Sequence, residues 1–186
     1  MLNQEIKDAT SVAHQQLEKT VIYRIKAISS EQDYAGFLKY FYAYFRAVEE
    51  AVKPFITTGV LADYHTRRNS SYLKNDIGAL GGDVDVLPGA IAPAISNAAE
   101  AMGALYVLEG SIMGGPYIVR MLQKRGIGQG FTFFSGYGAQ AGQMWQSFID
   151  ALNAVVTTEE EKKQALEKAA ETFSRFEDVF AGISVI

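Results

Sequence analysis

The chain holds only two histidines, His14 and His65, and no cysteine, so metal or nucleophilic chemistry has few places to sit. His14 lies in "KDATSVAHQQLEKT", with Glu18 four residues on and Lys7 seven residues before it. On a helix, Glu18 is near enough on the same face to accept a hydrogen bond from one ring nitrogen. A carboxylate so placed fixes the tautomer of a metal-ligating imidazole and raises its basicity. Lys7 falls two turns away on nearly the same face, because seven residues return a helix to within about 20°. An imidazole with a cation at that distance suits a flat, metal-centred ligand with anionic edges, and haem has this shape. The competing reading is a half-buried histidine satisfied by a neighbour. His65, in "ADYHTRRNSSYLKND", has no partner at a ligand spacing and reads as a surface or capping residue beside Arg67 and Arg68. A single-histidine site requires a cofactor that brings its own remaining ligands.

The second chemical signal is "EGSIMGGPYI", Glu109 to Ile118, inside a run that otherwise reads as helix. Gly110 and Gly114 share one helix face, and Gly103 extends that bare stripe one heptad earlier. Each interior glycine costs roughly 1 kcal/mol against alanine, and an interior proline about 3. Two readings stand. Small residues allow close helix packing, or they let the backbone approach a large flat ligand with room left for a small molecule. In the second reading, Gly115 and Pro116 kink or loosen the helix beside the ligand. The summed propensity cost exceeds what a packing contact requires, which favours the ligand.

The elements that must position these residues are helices throughout. Period-two alternation is absent except for a short "GFTFF", so the chain is expected to be all-α, with about seven helices. A first helix is expected over Leu2–Lys19. A second opens at "SSEQDYAGF", where Ser30 and Asp33 form a capping-box pattern, and it stops at Pro54. Further helices are expected over Asn69–Leu80, through the long "APAISNAAEAMGALYVLEGSIMGGPYIVRMLQKRG" broken by its glycines, and over Gln140–Val155 and Thr158–Phe180. No linker or repeat divides the chain, so residues 1–186 are expected to form one domain. The net charge of -4 argues against a nucleic-acid or membrane-surface binder, which would show a basic face. The polar start lacks a secretory pattern and the tail "FAGISVI" is too short to span a bilayer, so a cytoplasmic protein without a membrane span is expected.

Taken together, "KDATSVAHQQLE", "YAGFLKYFYAYFRAVEEAV", "RRNSSYLKNDIGALG", "GALYVLEGSIMGG", "MWQSFIDAL" and "TFSRFEDVF" resemble, in order, segments of haem oxygenases. The resemblance is to the bacterial, biliverdin-producing branch associated with bacteriophytochromes. It implies a heme-oxygenase-like helical bundle, with haem between a proximal N-terminal helix and a kinked, Gly-rich distal helix. It implies oxidative cleavage of haem to biliverdin, carbon monoxide and ferrous iron, using O2 and electrons from a ferredoxin or a flavin reductase. A bacteriophytochrome would then be a receiver of the product. His14 becomes the iron ligand, Glu18 its outer partner, and Lys7 a contact for a haem propionate. Gly110 and Gly114 become the backbone over the distal haem face, with Ser111 beside the distal water. Two departures stand out: Pro116 and Tyr117 follow the glycine pair, and "AQAGQMWQSFID" carries Gln143 and Gln146 where relatives place basic residues. The missing cations motivate an alternative, a non-catalytic haem- or tetrapyrrole-binding protein of the same fold.

Overall fold

The first helix carries its own interruption. In the computed structural model, which describes residues 2–182, α1 spans Leu2–Ala27 and buries Leu2, Ile6, Thr10, Leu17, Val21 and Ile25. These positions form one stripe at i+3 and i+4 spacings with a single gap, and the gap falls at His14, which is exposed. The helix runs past the expected end at Lys19 because Val21 and Ile25 continue the stripe. Their burial outweighs the weak helix propensity of the β-branched residues around them. Arg24 fastens this end, donating to the Phe180 carbonyl at 2.6 Å.

α2, Glu31–Val52, is capped by Ser30, whose hydroxyl accepts from the Asp33 amide. The expected box is only half formed. The Asp33 carboxylate turns back to Ser29, accepting from its amide at 2.9 Å and its hydroxyl at 2.8 Å. The buried face of α2 brings Phe41 to 5.1 Å from Phe134 and 4.9 Å from Phe176, both nearly edge-on. Such pairs contribute about 0.5–1.5 kcal/mol each beyond the area they bury. α3, Ser70–Ala79, is capped by Asn69 and tied to α2 by Glu49, which accepts from the Ser70 amide and hydroxyl.

α4, Ala98–Gln123, passes through Gly110, Gly114 and Pro116 as one helix, where the sequence predicts a break. Its first half is buried almost all round, from Ala99 to Glu109, and this burial offsets the poor propensity that follows. α5 spans Ala141–Val155. α6, Glu159–Ala181, opens with a complete capping box between Thr158 and Glu161 and stops at the left-handed Gly182. Among the described residues there are thus six α-helices and two short 3-10 turns, Tyr64–Thr66 and Gly138–Gln140.

No strand occurs among the described residues, and "GFTFF" is turn structure. Asp76 of α3, only 1% exposed, explains why it is ordered. One carboxylate accepts from the Thr132 amide at 3.0 Å, the Thr132 hydroxyl at 2.7 Å and the Phe133 amide at 2.9 Å. No described helix is long and apolar enough to cross a membrane, and the last four residues of "FAGISVI", 183–186, lie outside the described residues.

α6 packs along both α1 and α4, whereas α1 and α4 touch each other only briefly. The two helices therefore splay over α6 and leave a crevice between them. Asp76→Ala should strand three donors of the connecting loop and destabilise the protein by about 3 kcal/mol, read by urea unfolding. Asp76→Asn, which keeps one acceptor, should cost less.

Candidate functional site

His14 and the glycine stretch of α4 face the same crevice. It has two lobes, of about 420 and 230 Å³, which only together give ample room for a small-molecule site. Both lobes are lined by His14, Gly110, Ser111 and Phe173, so these four mark its middle. The His14 ring stands edge-on to Phe173 of α6 at 5.4 Å, and no hydrogen bond claims it among the described residues. The stripe of α1 opens here because α6 presents an aromatic floor and α4 stands back.

The lobes differ in chemistry. The larger is lined by Asn3, Lys7, Thr10 and Tyr106 together with Met113 and Trp145. The Tyr106 hydroxyl donates to the Asn3 side chain at 3.0 Å. The smaller is lined by Leu17, Val21, Ile25, Phe41, Met121 and Phe176, with Glu18 and Tyr117 at its rim. Glu18 and His14 share this wall without a hydrogen bond between them. Lys7 is thus at the polar end and Glu18 at the apolar end. His65 is exposed on its 3-10 turn and lines neither lobe. Among the described residues no group of three or more His, Asp and Glu side chains gathers as a metal site.

The glycines of α4 divide into two kinds, which resolves the ambiguity of their spacing. A Cβ on Gly103 would lie 2.9 Å from the Ala165 Cα and closer still to its carbonyl oxygen. One on Gly115 would lie 2.9 Å from the Phe134 Cα, again with the carbonyl nearer. These two are packing glycines, so Gly103 does not belong to the ligand stripe and Gly115 has another reason to be bare. Gly114, in contrast, has nothing within 4 Å of such a Cβ, and Gly110 only the tip of Trp145 at 3.9 Å. Both line the crevice with backbone. Pro116 is exposed outside both linings. It removes a donor to the Ile112 carbonyl, which lies instead beside Gly136 of the connecting loop. Ser111 donates its hydroxyl to the Val107 carbonyl at 2.8 Å, which commits its proton and leaves its oxygen as an acceptor.

What the spacing did not reveal is behind Gly110. Glu109, 5% exposed, pairs with Arg67, 1% exposed, at 2.8 Å. Asp63 takes two further bonds from Arg67, at 2.8 and 2.9 Å, and the Tyr137 hydroxyl reaches Glu109 at 3.3 Å. The one legible signal was Glu109 itself, a lone charge in the apolar run "AMGALYVLEG", since such a charge needs a buried partner. Burial pushes the Glu109 carboxyl above its ordinary value, with Arg67 offsetting part of the rise. α5 turns Trp145 to the crevice, while Gln143 and Gln146 are exposed.

The family described as Heme oxygenase matches residues 1–182. A heme oxygenase of Xanthomonas campestris pv. campestris (strain 8004) is 29% identical over 150 residues, covering 80% of this chain and 88% of that protein. Heme oxygenase PigA of Pseudomonas aeruginosa is 25% identical over 180 residues, covering 95% and 90%. The NO- and CO-bound heme oxygenase of Neisseria meningitidis superposes with a TM-score of 0.83 at 22% identity, covering 97% of this chain and 90% of that one. The heme oxygenase of Leptospira interrogans gives 0.73 at 18%, covering 98% and 99%. These two share the all-helical fold.

Two predictions follow the geometry. Gly103→Ala and Gly115→Ala should each cost about 2 kcal/mol or more through overpacking, whereas Gly114→Ala should add up to about 1 kcal/mol; urea unfolding reads both signs. For Glu109, the folded protein holds the proton more tightly than the unfolded chain. Its contribution to stability is therefore complete below 4.5 and lost as pH rises through the higher folded value. Glu109→Gln removes this dependence. The melting temperature of the wild type relative to the variant should fall as pH is raised from about 4 towards 7.

Proposed function

The chain belongs to the heme oxygenase family, and from that premise we propose that it cleaves haem oxidatively to biliverdin, carbon monoxide and ferrous iron, with His14 as the iron ligand. The observation that carries this reading is the exposed His14 at the one open position of a buried stripe, facing the bare backbone of Gly110 and Gly114 across a crevice. The residues present fit haem. A flat macrocycle centred beside His14 would span the middle of the crevice and extend into the apolar lobe, with its carboxylates towards the lobe that holds Lys7, Asn3 and Tyr106.

Bound haem would supply the iron that reacts with O2, given electrons from outside. The chain supplies position. His14, on a helix locked to α6, offers a ring nitrogen to the crevice, and the edge contact with Phe173 limits how the ring turns. Glu18, one turn on, is placed to accept the other ring N–H once the imidazole is held by a metal. Gly110 and Gly114 leave depth beside the opposite face for a small molecule, since no side chain intervenes. Ser111, its own proton given to Val107, can accept from a water there and so help hold a proton donor near the reacting oxygen. Lys7 would hold the carboxylate edge of the ring at the polar end. The electron donor is proposed to be a ferredoxin or a flavin reductase, in the cytoplasm, with a bacteriophytochrome as one receiver of biliverdin.

Purified protein should bind hemin saturably with a histidine-ligated absorption spectrum. His14→Ala should weaken binding at least as much as the about 10–100-fold typical of losing a ligand's outer partner. With a reducing partner and O2, the wild type should accumulate biliverdin. Absence of saturable hemin binding would overturn the reading, and binding without biliverdin would favour the non-catalytic alternative.

A further inference from the structure

Arg67 uses every donor it has. Its Nε and Nη2 donate to the Asp63 carboxylate, and its Nη1 donates to Glu109 of α4 at 2.8 Å. Nη1 and Nη2 both donate to the Met144 carbonyl of α5 at 3.3 Å, and Nη2 reaches the Ser147 hydroxyl at 3.4 Å. The guanidinium also lies 5.8 Å from the centre of the Phe148 ring. Five N–H groups in one rigid plane are thereby spent on a loop residue and two helices.

The two helical residues it holds are the chain neighbours of two crevice residues. Glu109 precedes Gly110, and Met144 precedes Trp145. A Cβ built on Gly110 would meet Trp145 at 3.9 Å, and both residues line the polar lobe with Tyr106. Trp145 is steadied from the other side by Phe148, stacked at 5.9 Å, and by Tyr106 at 5.3 Å. One planar cation therefore fixes the separation of α4 and α5 where they bound the polar end of the crevice.

We propose that Arg67 is a positioning residue for haem breakdown: by clamping Glu109 to Met144 it sets the Gly110–Trp145 wall, and with it how the polar edge of the porphyrin is seated. This rests on the haem reading of the crevice. A lysine in its place keeps the charge but offers a point cation, without the fork that spans four partner residues.

The test compares wild type with Arg67→Lys. Trp145 is the only tryptophan, so the emission of the ligand-free protein reports this wall directly. The variant should show a red-shifted maximum and easier acrylamide quenching. Its hemin complex should keep the histidine-ligated spectrum, with affinity within about threefold, while the rate of biliverdin formation falls about tenfold or more. The biliverdin isomer composition should also change. A variant that is less stable yet has wild-type emission, wild-type turnover and an unchanged product would overturn the proposal, since that outcome describes a purely structural ion pair. Should Arg67→Lys fail to fold, Glu109→Gln keeps an acceptor for Nη1 and is read the same way. If the wild type binds no hemin, the haem reading fails, while the emission of the ligand-free variants still decides whether Arg67 sets the wall.

Discussion

A helix that turns bare backbone towards an open crevice has nothing on that face to hold it, so its other faces must do all the holding. This constraint organises the molecule around α4. On one side Gly103 sits against the Ala165 backbone of α6, and on another Gly115 sits against Phe134 of the connecting loop. Between them Glu109 reaches the buried Arg67. Each attachment uses a contact that only a small residue or a strong ion pair provides at that spot. The loop that receives Gly115 is itself held by Asp76 of α3, so the order of α4 depends on a carboxylate far from it in sequence.

The opposite wall answers a different demand. α1 turns His14 to the crevice without collapsing onto α4, and α6 achieves this by packing along both helices and keeping them apart. The aromatic residues of α2 and α6 make that wedge stiff: Tyr44 stacks on Phe176 at 4.6 Å and donates to the Thr172 carbonyl at 2.6 Å. Packed aromatic layers deform little, so the distance between the two walls is set by the core and not by the surface.

Much of this was legible in the residues. The helical period gave the elements, and the company of His14 and the face shared by Gly110 and Gly114 pointed at the crevice. What spacing could not tell was which glycines were bare for packing and which for space, because both uses have the same signature along one chain; the difference lies in α6 and the loop, which come from elsewhere in the sequence. The interruption expected along the glycines of α4 was outweighed by burial of the preceding half of the helix. The order of "GFTFF" was invisible for a similar reason, since Asp76 is an unremarkable acid in its own helix. Arg67 read as one of two adjacent basic residues, and only folding makes it the buried one.

The sparing contact between α1 and α4 has a consequence for the lifetime of the protein. A ligand lying between two helices that hardly touch becomes part of what joins them. Whatever binds the folded chain alone shifts its unfolding equilibrium, by about 2.7 kcal/mol at a hundredfold excess over its Kd. Without such a ligand, α1 and α4 are joined mainly through α6. Exposed Tyr117 and Met113 are then left uncovered beside the crevice. Resistance of the chain to proteolysis through its unfolded state would therefore rise with the supply of such a ligand.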